Sequence, residues 1–159
     1  MRIGIGYDLH RLEPGRPLIL GGQAIPFERG LQGHSDADVL THAVIDALLG
    51  AAALGNIGAL FPDTDPRYKD ADSQKLLQEV VRHLEENGWR IVNIDTNIVA
   101  QRPRLNPHID SIRRRLAQCL GIALECVSVK AKTNEEVGPE GREEAMSAQA
   151  VALIERRSA

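Results

Sequence analysis

Residues 38–54, Asp38-Val-Leu-Thr-His42-Ala-Val-Ile-Asp46 followed by Ala-Leu-Leu-Gly-Ala-Ala-Ala-Leu54, constrain the fold more than any other stretch of the chain. Ala43, Ile45, Ala47, Leu48 and residues 51–54 make a helix apolar on most sides, so it must be largely buried. Aromatic residues are only 3% of the chain, so the core around this helix must be built from Ala, Leu, Ile and Val. Asp38, His42 and Asp46 fall four apart and stack on one helix face. Buried polar groups need partners, which places further chemistry next to this face.

The remaining elements follow from periodicity and punctuation. Residues 2–10 read as a strand in which Gly4 and Gly6 mark close approach by another backbone or a ligand. Residues 18–26 read as a hairpin turning at Gly21-Gly22. Residues 30–36 read as a loop, with Ser35 or Asp36 capping the buried helix, which ends near Leu54. Residues 55–58 close that helix. Residues 61–66 are irregular, because Pro62 and Pro66 bracket Asp63 and Asp65. Asp72 or Ser73 opens an amphipathic helix that ends at Asn87-Gly88. A strand over 91–100, a helix from Asn106-Pro107 to Leu120, a strand over 126–132 and a polar loop over 133–141 come next. Residues 142–157 fit helix or strand equally: Ala, Glu and Gln favour helix, yet the run is apolar on both parities. Interleaved strands and helices with short connections give an α/β or α+β class.

A length of 159 residues suits one domain, spanning 1–159, around one core. A net charge of -3 argues against a nucleic-acid surface, whose phosphate contacts need basic residues. No segment approaches the ~18 apolar residues of a membrane span, and the start of the chain has no long apolar signal region, so a cytoplasmic protein is expected. Cys119 and Cys126 fit no metal spacing and read as buried thiols in a reducing compartment.

Asp8 and His10 lie two apart on the expected strand, so both point to one face. Met by His42 from the helix, they form a three-ligand set of one carboxylate and two imidazoles, which suits zinc with a coordination place left open. Taken singly, each has a plainer reading: strand-end residues for Asp8 and His10, a hydrogen-bonded core histidine for His42. His34-Ser35 is either a helix entry or a phosphate-binding pair. Lys132-Thr133-Asn134-Glu135 is either a solvated loop or a binder of phosphate and a hard cation.

Together these residues carry a resemblance. Tyr7-Asp8-Leu9-His10, Gly-His-Ser-Asp-Ala-Asp at 33–38, His42 within its helix and Leu-Phe-Pro-Asp-Thr-Asp-Pro at 60–66 are similar to the 2-C-methyl-D-erythritol 2,4-cyclodiphosphate synthase family. The likeness continues through 100–109, 129–138 and 141–144. It implies an α+β single domain, with a mixed sheet of about four main strands, helices on one face and a small hairpin, assembled as a homotrimer with sites between subunits. By that likeness the last segment is a strand. The implied activity closes 4-diphosphocytidyl-2-C-methyl-D-erythritol 2-phosphate into the cyclic diphosphate and releases CMP, a step of the non-mevalonate isoprenoid route.

Carried over by position, Asp8, His10 and His42 would bind zinc, and Glu135 a magnesium or manganese ion on the diphosphate. His34 and Thr133 would stabilise the transition state, with Ser35 beside them. Asn56, Ile57 and Gly58 with Phe61, Pro62, Asp63, Thr64 and Asp65 would hold the methylerythritol portion. Ala100, Gln101, Arg102, Pro103, Arg104, Leu105 and Asn106, with Ala131, Lys132, Thr133, Asn134 and Glu135, would form the cytidine and phosphate pocket of the adjacent subunit. Pro139, Arg142 and Glu144 would lie by an axial cavity that accepts a prenyl phosphate. The chain departs from the family pattern at Asn56, where aspartate is expected, at Lys132, where a hydroxyl residue is expected, at Pro139, where an aromatic is expected, and at Glu143, where glycine is expected. Two alternatives carry the same residues: a metal-dependent phosphohydrolase, and a non-catalytic trimeric prenyl-phosphate-binding protein.

Overall fold

The structure, a computed structural model, describes residues 1–157. Strand β1 (Arg2–Pro14) leads into the hairpin β2 (Leu18–Leu20) and β3 (Gln23–Ile25), then the short strand β4 (Arg29–Leu31). The buried helix α1 (Val39–Ala52), a single turn α2 (Ile57–Leu60) and the amphipathic α3 (Ser73–Glu86) follow. Strand β5 (Trp89–Val99), helix α4 (Ile109–Leu120), strand β6 (Val127–Lys132), the turn α5 (Gly138–Gly141) and strand β7 (Ala145–Arg156) complete the path. The main sheet has the order β4-β1-β7-β5-β6. β7 is antiparallel to both β1 and β5, whereas β5 and β6 are parallel, so the sheet is mixed. The fold is the α+β class expected, its four long strands joined by β4 as a short fifth. No described helix is long and apolar enough to cross a membrane.

The open choice over the last segment resolves as strand. β7 pairs on both sides, which outweighs the helix propensity of its Ala and Glu. From Ala148 onward it alternates: Ala148, Ala150, Ala152 and Ile154 are buried, while Gln149 and Val151 are exposed. Helix α1 covers β1 and β7, and α3 and α4 pack over β5 and β6. Leu40, Ile45, Leu48 and Leu49 of α1 are completely buried, and each such side chain stabilises the fold by ~1.5–3 kcal/mol. The opposite face of the sheet carries Ile3, Ile5, Tyr7, Leu9 and Val151 in the open.

Contact between β1 and α1 sets the level at which Asp8, His10 and His42 meet. A Cβ on Gly4 would stand 2.0 Å from the Ala47 carbonyl oxygen, and one on Gly6 would stand 1.9 Å from that of Ala43. Only glycine permits this approach. The helix side answers with Ala43, Ala47 and Ala51, four apart. Two strand residues advance about 6.6 Å and four helical residues 6.0 Å, so the match persists along both elements. The next positions on the same strand face are Asp8 and His10, which therefore fall level with His42.

Several local expectations are corrected. Gly30 and Leu31, expected as the start of a loop, belong to β4, which pairs with Leu12–Pro14 of β1. The cap of α1 is Asp38, not Ser35 or Asp36. Asp38 is extended out of the helix at φ -69, ψ 87, so the four-residue spacing to His42 does not carry it to the same face. Its carboxylate is fully buried and accepts from the Gly21 and Gly22 amides (2.9 and 2.6 Å), the Thr41 amide (3.0 Å) and the Thr41 hydroxyl (2.7 Å). It thereby ties the hairpin turn, where Gly21 and Gly22 both have positive φ (58 and 74), to the helix start. The loops after α1 and β6 each contain one helical turn, α2 and α5. Cys119 and Cys126 are free thiols, half-buried rather than buried.

Candidate active site

Parity in β1 brings Asp8 and His10 under α1, where His42 meets them. Asp8 Oδ2 lies 3.0 Å from His42 Nδ1 and 3.1 Å from His10 Nδ1. One donor atom from each of the three residues lies within 4.8 Å of the others. His10 Nδ1 is buried yet makes no well-directed hydrogen bond, so a buried lone pair or proton is left without a proper partner. These separations are close to the ~3.3 Å edge of a tetrahedron with metal–ligand bonds near 2.05 Å. A carboxylate, two imidazoles and an orphaned ring nitrogen converging at such spacing fit a divalent cation such as zinc.

Burial works to raise the pKa of Asp8, but contact with the His10 and His42 imidazoles, and their charge, hold it down at about 2. For His42 burial works downward. The hydrogen bond and charge of Asp8, helped by Asp38 and Asp36, outweigh it and raise the imidazole above its ordinary value. In the metal-free chain the Asp8 anion therefore favours a proton on His42. A cation binding at His42 Nδ1 must displace that proton. Below the His42 pKa, zinc affinity is expected to fall about tenfold for each unit of falling pH. Competition against a chelator between pH 8 and pH 6, corrected for the chelator's own protonation, measures this; a flat profile would remove His42 from the ligand set.

The cluster opens into a cavity of about 370 Å³. Of the expected residues, Asp8, His10, His34, Ser35, His42, Ile57, Gly58, Phe61 and Asp63 line it. Asp46, Tyr68 and Leu76 line it too, without having been assigned to the site from sequence. Asp46 holds the α2 turn by accepting from the Ile57 amide at 2.7 Å. Pro62, Thr64 and Asp65 stand outside the lining. Asp65 instead accepts from the amide and guanidinium of Arg67. Asn56 is likewise outside, capping α2 through the Ala59 amide at 2.9 Å.

A second cleft, about 230 Å³, is lined by Ala100, Gln101, Pro103, Arg104, Leu105 and Asn106 after β5, and by Ala131, Lys132 and Thr133 at the end of β6. Arg102 points elsewhere, towards Glu28 and Glu143 (3.9 and 3.8 Å). Asn134 donates to the buried Glu140 at 3.3 Å. Glu135 lies outside both linings and accepts from the Thr133 hydroxyl at 2.9 Å. It and Glu136 hold positive φ (50 and 65), a strained conformation of the kind that clusters at binding loops. Pro139 lies in α5. Arg142 pairs with Glu144 at 2.8 Å. Glu143, where glycine is expected, contacts Arg29.

Sheet register relates the two clefts. Asp8 pairs with Ala148, Ala148 with Ile98 and Ile98 with Ala131. The metal cluster and the second cleft thus lie on one row, three strand steps or about 14 Å apart, level with the middle of β1 and the C-terminal ends of β5 and β6. His34 lines the first cavity and Thr133 the second.

A family model, the YgbB family, matches residues 1–155. The chain belongs to this family. It is 61% identical over 159 residues to the protein named 2-C-methyl-D-erythritol 2,4-cyclodiphosphate synthase from Moorella thermoacetica, covering 100% of this chain and 98% of that one. The bifunctional IspDF from Campylobacter jejuni superposes with a TM-score of 0.94 at 39% identity, over 98% of this chain and 42% of its own length. A CDP-bound form of 2C-methyl-D-erythritol-2,4-cyclodiphosphate synthase gives 0.90 at 39% identity, over 97% of this chain and 100% of its own. YgbB membership and the α+β architecture therefore agree over essentially the whole chain.

Proposed function

We propose that this chain converts 4-diphosphocytidyl-2-C-methyl-D-erythritol 2-phosphate to 2-C-methyl-D-erythritol 2,4-cyclodiphosphate and releases CMP. The observation that carries this is a buried Asp-His-His cluster opening into a cavity, in a chain 61% identical over its full length to a protein named for that synthesis. The nucleophile is the substrate's own 2-phosphate, anionic near neutral pH, so no strong general base is required. Zinc on Asp8, His10 and His42, and magnesium or manganese on Glu135 with the diphosphate, would neutralise charge at the attacked and leaving phosphates. His34 and Ser35, at the cavity wall, are placed to bond phosphate oxygens. Phe61, Asp63 and the α2 turn bound the volume for the methylerythritol portion, which keeps the chain folded for intramolecular attack.

The second cleft supplies the cytidine side, through backbone groups of 100–106 and 131–133 and the Lys132 cation. It lies about 14 Å from the cluster in its own chain, so a single site is best completed by two subunits. The open sheet face supports this reading. Ile3, Ile5, Tyr7 and Val151 are 71, 76, 55 and 37% exposed, an apolar surface suited to burial against other copies in a homotrimer. A prenyl phosphate in the axial cavity would use Arg142, which Glu144 already pairs.

Incubation with the cytidyl substrate, followed by phosphorus NMR, tests the activity. Equal amounts of CMP and cyclic diphosphate are expected. Inorganic phosphate in their place would support the phosphohydrolase reading, and no turnover with bound prenyl phosphate would support the non-catalytic one.

A further inference from the structure

Helix α3 begins with a serine that faces the metal cluster from behind. Ser73 is completely buried. Its Oγ lies 3.0 Å from His42 Nε2, on the side of the ring away from Asp8. Its hydroxyl donates to Asp36 Oδ1, in a short contact, and its amide donates to Asp36 Oδ2 at 2.9 Å. A hydroxyl has one hydrogen. With that hydrogen held by Asp36, Ser73 can only accept from His42, so His42 Nε2 must carry a proton. Ser35 Oγ, 3.2 Å from the same nitrogen, also accepts from the Ala37 amide and is the longer, second contact.

We infer that Ser73, locked by Asp36, is a positioning residue that fixes the His42 tautomer and ring orientation, leaving Nδ1 to face the cation site beside Asp8. Asp36, Ser73, His42 and Asp8 form one hydrogen-bonded line from the start of α3 to β1. Nothing in the helix itself requires this arrangement, since the cap of α3 is Asp72, which accepts from the Gln74 amide at 2.9 Å. Partners behind a ligating imidazole commonly change metal affinity 10–100-fold. The inference rests on the reading of Asp8, His10 and His42 as cation ligands.

The test compares zinc affinity, by chelator competition, in the full-length wild-type chain, Ser73→Ala and Asp36→Asn, with nitrogen-15 NMR of the histidine rings. Alanine is a good helix former and the Asp72 cap is untouched, so Ser73→Ala keeps the fold. The expected result is zinc affinity lowered about tenfold or more in Ser73→Ala and in Asp36→Asn. In the zinc-loaded wild type, the His42 ring should show a protonated Nε2 and a metal-bound Nδ1. Unchanged affinity in Ser73→Ala, or a zinc bond at Nε2, overturns the inference. Failure of the wild type to bind zinc overturns the ligand reading itself, and is seen before any variant is compared.

Discussion

His42→Ala is expected to lower zinc affinity by a hundredfold to a thousandfold and to abolish turnover while the protein stays folded. Zinc sites with four protein ligands are worth roughly 10–16 kcal/mol, so one ligand in such a set accounts for about 3 kcal/mol, and each 1.4 kcal/mol is tenfold. Asp8 and His10 alone leave a two-ligand site. Asp8 also loses one of the two imidazoles that hold its pKa down, so its carboxylate becomes a weaker ligand at low pH. The fold should tolerate the change. Val39 and Leu40 before His42 and Ala43, Val44 and Ile45 after it are fully buried apolar residues, and the side-chain cap at Asp38 is made without it. Zinc content, far-UV circular dichroism and phosphorus NMR of the reaction give the three readouts. A chain that unfolds on losing zinc would instead mark a structural metal, and full activity in the metal-free variant would remove the cluster from the chemistry.

The metal cluster was legible in the sequence because it depends on two periodicities. A period of two puts Asp8 and His10 on one strand face, and a helical apolar run identifies α1 as buried. Their meeting was only hinted at, by Gly4 and Gly6. Spacing misplaces Asp38, because a step of four assumes helical backbone at both positions and a cap residue is not helical. The strand at the end of the chain was ambiguous for a related reason. Its helix-favouring composition is overridden by pairing on both edges, which no local pattern reports.

In the sequence Ser73 and Asp36 read as helix punctuation, and nothing in their spacing separates a cap from a partner of His42. Asp36 lies two residues before the true cap, and its contact with Ser73 spans 37 positions. Such groups become visible only once α1 and α3 are packed side by side. The loop after β5 shows the opposite case. The resemblance placed 100–106 as one unit, and six of its seven residues do line one cleft, while Arg102 turns to Glu28 and Glu143.

Gly6→Ala is expected to destabilise the fold by at least about 3 kcal/mol and to weaken zinc binding with it. The new Cβ would stand 1.9 Å from the Ala43 carbonyl oxygen and 2.8 Å from the Ala47 amide nitrogen. Both are helix backbone, which cannot rotate aside as a side chain would, so β1 and α1 must separate by about an ångström. Overpacking costs typically 1–3 kcal/mol where side chains can adjust, and more where they cannot. At roughly 2–4 °C per kcal/mol for a chain of this size, the melting temperature should fall by about 10 °C. The same separation draws Asp8 and His10 away from His42, whose 3.0 Å contact with Asp8 leaves no slack. Zinc should therefore restore less of the lost stability in the variant than it adds to the wild type. Gly50→Ala is the matched control. It lies in α1 beside the same strand, but its nearest neighbour, the Ile5 carbonyl oxygen, is 3.9 Å away. Replacing a helical glycine there should stabilise by up to ~1 kcal/mol. Melting curves for both variants, with and without zinc, separate the two expectations. A Gly6→Ala protein that melted with the wild type would mean that the strand and helix have room between them, and that the level of Asp8 with His42 is set by something other than their contact.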